Sequence, residues 1–135
     1  MEQKHYPTAE AVQETAKVYA EAAVEFGARY SKTFDFTVES IKQVEQLADV
    51  LSEAIPEESP SEEKILEMAR VLGSYVGEVY RRTQGGEWEY DIFMNAASIE
   101  SPKGFAFWPI ARCYNRLVEG KENNLWHYFL SMLRT

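Results

Sequence analysis

Through the first half of the chain, apolar side chains recur every three or four positions, the spacing that one face of a helix requires. From Thr8, a suitable N-cap, the first stripe runs Val12, Ala16, Tyr19, Ala23, Phe26 and Tyr30. Glu10, Glu14, Lys17, Glu21 and Glu25 mark its wet side, while Ala16, Ala20, Ala22 and Ala23 leave room for a close neighbour. A second helix is expected from Thr37, with Phe36 and Ile41 placed as a hydrophobic staple. Its stripe is Ile41, Val44, Leu47, Ala48, Leu51 and Ile55. Pro56 is expected to end it, because proline disfavours helical geometry in the residue before it. In the acidic connector PEESPSEE, Ser59 as cap, Pro60 as first helical residue and Glu62 completing a capping box predict the start of a third helix.

That third helix spans Pro60 to Arg82, with Ile65, Ala69, Leu72, Val76 and Val79 in one stripe. Leu66, Gly73, Gly77 and Tyr80 flank it on one side and Tyr75, Glu78 and Arg82 on the other, so only Glu63, Glu67, Arg70, Ser74 and Arg81 are expected to face water. A helix with so little wet arc is expected to lie centrally. Gly73 and Gly77 sit inside it, and each costs ~1 kcal/mol relative to alanine. Four residues apart, they share one face, where missing side chains admit a neighbouring backbone or ring. Gly85-Gly86, just after Arg81 and Arg82, reads as a helix stop.

The pattern then changes period. EWEYDIFM alternates Trp88, Tyr90, Ile92 and Met94 with charged residues, as a half-buried strand does. ASIE and GFAFW flank SPKG, a tight-turn sequence, which predicts a small antiparallel sheet of two to three strands. Pro109 suits the first turn of a fourth helix that Gly120 closes, and a fifth is expected near Asn123 to Arg134. Three N-terminal helices, a small sheet and two C-terminal helices make an α+β fold, read as one domain over residues 1–135.

Charge alters the picture more than composition does. The 135 residues are 45% hydrophobic, as a packed globule requires, and carry a net charge of −8. Residues 1–70 hold 15 acidic and 7 basic side chains, whereas residues 71–135 hold 7 of each. A negative field repels phosphate backbones and so argues against nucleic acid. No stretch approaches the ~18 apolar residues of a membrane span. The start MEQKHYPT lacks a signal-peptide layout, and the single Cys113 excludes an intrachain disulfide, so a cytoplasmic protein is expected.

Candidate chemistry is sparse. His5 and His127 belong to no spaced metal motif, and Cys113 lies in an apolar helical stripe. No metal or cofactor is expected, and the residues weigh against an enzyme while leaving that class open. The acidic connector lacks the turn glycine of a calcium loop. Glu78 stands out. At four residues before Arg82 it is placed for a helical ion pair, and a partly buried carboxylate there is also a candidate acceptor. The aromatic set Trp88, Tyr90, Phe105, Phe107, Trp108 and Trp126 reads first as core and sheet face, second as a pocket lining.

The segments FDFTVESIKQVEQL, LGSYVGEVYRRTQGGEW and FWPIARCYNRLVEGKENNLWHYF resemble a family of uncharacterised bacterial domains. The resemblance covers roughly Phe34 to Leu133 and centres on a Gly-x-Tyr-x-Gly-Glu-Val helix followed by Gly-Gly-x-Trp, with Ser74 where alanine is the family's expected residue. It implies a fold, and brings no catalytic residues.

Two functional expectations follow. The first is a non-catalytic interaction protein, of the kind an immunity protein exemplifies, whose Glu53, Glu57, Glu58, Glu62 and Glu63 receive a basic protein partner. The alternative is a small-molecule binder or small enzyme with Tyr75, Glu78, Arg82 and Trp88 at the junction of the third helix and the sheet. Oligomeric state stays open.

Overall fold

The computed structural model describes residues 5–135, so the start of the MEQKHYPT segment lies outside the described residues. Helices α1 (Ala9–Arg29), α2 (Ser40–Glu58) and α3 (Glu62–Gln84) are followed by strands β1 (Glu87–Asp91), β2 (Ala96–Glu100) and β3 (Ala106–Phe107). Then come α4 (Pro109–Glu119), a 3₁₀ turn at Lys121–Asn123, and α5 (Leu125–Leu133). The order is the α+β arrangement that the pattern predicts.

α3 is the hub. Every residue from Leu72 to Tyr80 is buried, so over this stretch the helix has no wet side at all. α1 lies along it through a row of small residues, Ala16, Ala20 and Ala23, while Gly27 at the end of the row seats the Phe34 ring. This differs from the expected stripe: Tyr30 is exposed, and Tyr19 and Phe26 are only partly covered. Small side chains win the contact face because they let two helix axes approach closely. α4 crosses the other side of α3 at the glycines. A Cβ on Gly73 would collide with the Ile110 backbone, and one on Gly77 with the Trp88 ring. Both glycines are therefore seats for neighbours, as their spacing suggests.

Three helix boundaries and one exposure differ from expectation, each for a local reason. Pro56 lies inside α2, which runs on to Glu58. In the last turn a proline forfeits one backbone bond only, and the chain leaves the helix when Ser59 adopts φ 45° and donates its N–H to the Ile55 carbonyl at 2.9 Å. Ser59 thus closes α2, and Ser61 caps α3 by accepting the Lys64 N–H at 3.1 Å. Thr37 does accept the Ser40 N–H at 3.2 Å, but regular helix begins only at Ser40. Ser74, expected to face water, is buried because α1 and α4 close over its side of α3.

The sheet is antiparallel in the order β1-β2-β3. Its register pairs Trp88 with Ile99 and Ile99 with Phe107, which lays one buried row across the sheet against α3. Tyr80 of α3 meets Phe107 edge-on at 4.9 Å and bonds its hydroxyl to Ser101 Oγ at 2.8 Å. β1 ends at Asp91, not Met94. The Asp91 carboxylate accepts the N–H groups of Phe93 and Met94 at 2.9 and 3.1 Å and so forms a turn in place of strand. Ile92, Phe93 and Met94 stand exposed on that turn. Gly86, at φ 107°, is required where β1 begins, since a Cβ would lie 2.7 Å from the Glu100 carbonyl oxygen.

Candidate functional site

The Glu78 carboxylate is fully buried, which by itself would favour the neutral acid. Its surroundings reverse that. Arg81 donates through Nε at 2.7 Å and Nη2 at 3.1 Å, Arg82 through Nε at 3.2 Å, and Trp88 through Nε1 at 2.9 Å. Burial pushes the carboxyl pKa up, but the bonds from Arg81 and Trp88 and the two guanidinium charges hold it below the ordinary glutamate value. Glu78 is therefore an ion with its lone pairs committed. It fastens the end of α3 to the first strand, and a carboxylate so occupied is a poor base.

The other three predicted residues do not converge on a single cavity. Tyr75 points toward the α1–α2 connection, where its hydroxyl accepts the Phe36 N–H at 2.9 Å and shares a 2.6 Å bond with Ser40 Oγ. Burial raises its phenol pKa. Arg82 reaches between the two: it pairs with Glu78 and stacks over the Phe36 ring at 4.0 Å. Trp88 alone lines a cavity, with its indole edge seated on Gly77.

That cavity is a groove of about 730 Å³ between α1, α3, α4 and the β1–β2 hairpin. Val12 and Ala16 of α1, Leu66 of α3, Ile110 of α4, and Trp88 and Ala97 of the hairpin give it an apolar lining. Tyr19, Glu62, Arg70, Asn95, Tyr114 and Asn115 bring polar atoms to it. Most of these are already engaged: Tyr19 donates to Glu67 at 3.3 Å, Tyr114 to Glu62 at 3.3 Å, and Tyr90 to Asn95. Arg70 is held by Glu63 and Glu67, each at 2.9 Å. Ser74 is different. It is 1% exposed, it belongs to the groove lining, and its hydroxyl has no hydrogen-bond partner among the described residues.

Glu53, Glu57, Glu58, Glu62 and Glu63 are all exposed around the α2–α3 turn. Glu62 and Glu63 are tied to Tyr114 and Arg70, whereas Glu53, Glu57 and Glu58 form no ion pair among the described residues. Cys113 is buried, and burial with Glu45 nearby pushes its thiol up to about 12, too high for a nucleophile at neutral pH. Among the described residues no group of three His, Cys, Asp or Glu side chains is placed to hold a metal. No helix among them is long and apolar enough to cross a membrane. Of the aromatic set, Trp88 and Tyr90 line the groove, Phe105 and Phe107 pack on Tyr80, and Trp126 faces the Lys42 ammonium at 4.9 Å.

One buried ion has no counterpart in the sequence reading. Arg116 of α4 is fully buried and forks onto Glu45 at 2.8–3.1 Å and Asp49 at 2.9 Å, both on α2. Glu45 also accepts the Leu125 N–H at 2.9 Å, which joins the start of α5 to the same cluster. Glu45 and Asp49 are four residues apart on one helix face, a faint signal for a shared cation, but nothing in the spacing identifies Arg116 as that cation. No protein-family profile, curated protein or solved structure matches the chain.

Proposed function

We propose that the protein is a non-catalytic binding protein that holds a small, mostly apolar molecule in the groove beside Trp88. The groove itself carries this reading: a concavity of about 730 Å³, lined mostly by apolar side chains, has the size and character of a small-molecule site. The site lies next to the Glu78–Trp88 junction singled out in the sequence, displaced onto the other side of Trp88. The committed Glu78 carboxylate and the high Cys113 pKa argue for binding without chemistry. On this reading the Gly-x-Tyr-x-Gly-Glu-Val helix and the following tryptophan mark a packing unit that shapes one groove wall. The test is a thermal-shift screen of uncharged, drug-sized molecules, repeated on Ala111→Trp, which plugs the groove from an exposed position on α4. Ligands that stabilise the native protein and lose their effect on the variant support the reading. A blank screen, or shifts that Ala111→Trp leaves intact, rejects it.

A second reading is an immunity-type protein that docks a basic partner on its acidic corner. It is favoured by Glu53, Glu57 and Glu58, which are exposed and pair with no cation among the described residues. Such a contact accelerates encounter and weakens with salt. Against a partner captured at low salt, reversing all five glutamates should slow association more than tenfold, on the order of what charge steering supplies. An unchanged association rate discards this reading.

A further inference from the structure

We infer that two copies of the chain pair through the β1–β2 turn, each inserting Phe93 into the other's groove. This goes beyond the groove reading, since a partner's side chain and a small molecule are alternative occupants of one space. Ile92, Phe93 and Met94 are 52%, 94% and 59% exposed, three consecutive apolar side chains without cover. An apolar patch of this kind marks a contact site. The turn that carries it is set in advance. Asp91 accepts the Phe93 and Met94 N–H groups and the Trp108 indole N–H at 3.0 Å, and Asn95 accepts the Tyr90 hydroxyl. Little ordering is therefore left for the moment of binding. No residue from Ile92 to Ala97 carries a charge, so the tip takes no ion with it into an apolar site.

The receiving surface lies beside the tip. Tyr90, Asn95 and Ala96, on either side of the turn, line the groove, so the tip stands at its rim. A two-fold axis passing between tip and recess sets each tip over the other copy's recess, the condition for a closed symmetric pair. A bilayer would take up an apolar tip with no recess beside it; the recess favours a second copy. A phenylalanine side chain covers roughly 150–250 Å². With Ile92 and Met94 beside it and the lining covered in return, twice over, the contact passes the roughly 1,000 Å² that a specific interface needs. Net charge opposes the pair, since each copy carries −8. The contact is apolar, so salt, which screens that repulsion, strengthens it.

The test is analytical ultracentrifugation of the native chain, Phe93→Ser, Ala111→Trp and an equimolar mixture of the two variants. The native chain should sediment as a dimer at micromolar concentration, tighter at high salt than at low. Phe93→Ser removes both tips and Ala111→Trp plugs both recesses. Each alone should weaken the dimer about a hundredfold or more, at roughly tenfold or more for each buried phenylalanine. The mixture should regain a dimer at roughly a tenth of native affinity, because the plugged copy still offers its tip to the open recess of the other. That recovery also shows both variants to be folded. A native chain that stays monomeric up to millimolar concentration, a dimer that survives either substitution, or a mixture that stays monomeric overturns the inference. A monomeric chain that floats with phosphatidylcholine vesicles through Phe93 assigns the tip to a bilayer and overturns it too. None of these results alters the thermal-shift screen, so the groove reading stands or falls separately.

Discussion

Glu78 and Arg116 are both fully buried ions, and they are held in opposite ways. Glu78 finds its partners close by in sequence: Arg81 and Arg82 on its own helix and Trp88 on the strand that follows. Arg116 finds its partners on α2, 67 and 71 positions earlier. The Glu78 cations are themselves partly exposed, so water shares the load on that side. At Arg116 the cation is the enclosed member and the carboxylates reach toward solvent. A local cluster secures the end of one helix to its next element. The distant one clamps α2 to the two C-terminal helices, which α2 touches more than it touches α3.

Breaking the long clamp should therefore hurt most. Arg116→Ala is expected to lose about 3–5 kcal/mol in a denaturant titration, because a buried partner disappears and Glu45 and Asp49 are left facing each other. Glu78→Gln keeps the shape and can still accept the Trp88 bond, so its loss should be smaller, about 2 kcal/mol. The reverse order would mean that the local cluster is the stronger support.

Acid sharpens the contrast. The folded Glu78 carboxyl titrates below its unfolded value, so its stabilisation is full above that unfolded value, about 4.3, and is lost as pH falls through the folded one. The stability margin of the native chain over Glu78→Gln should shrink below about pH 4 and stay level above pH 5. A margin that does not change with pH would show that the carboxylate's charge contributes nothing. Smallest of all is Arg82→Ala. Its side chain is 37% exposed, and losing its share of Glu78 and its stack on Phe36 should cost about 0.5–1 kcal/mol.

The same contrast explains what could be read in the chain beforehand. Periodicity identified α3 as central, and the Gly73–Gly77 spacing marked a contact face, because both are properties of a single helix. Glu78 stands out in the sequence because Arg82 lies one turn away. Arg116 does not, since its partners are assigned by tertiary docking and no spacing rule spans 71 residues. The groove is hidden for the same reason: its walls come from α1, α3, α4 and a hairpin, and of the expected site residues Trp88 and Glu62 line it, each from a different set. Ser74 was misplaced because a polar residue on one helix was weighed without the two helices that cover it.

The glycines of α3 set the dimensions of the groove from below. Ile110 rests on Gly73 and Trp88 on Gly77, and both of those guests also line the opening above. The aperture is thus gauged by two hydrogen atoms. Any methyl at either seat would lift a wall, so selection acting on what the opening admits would register at positions that never meet the molecule inside.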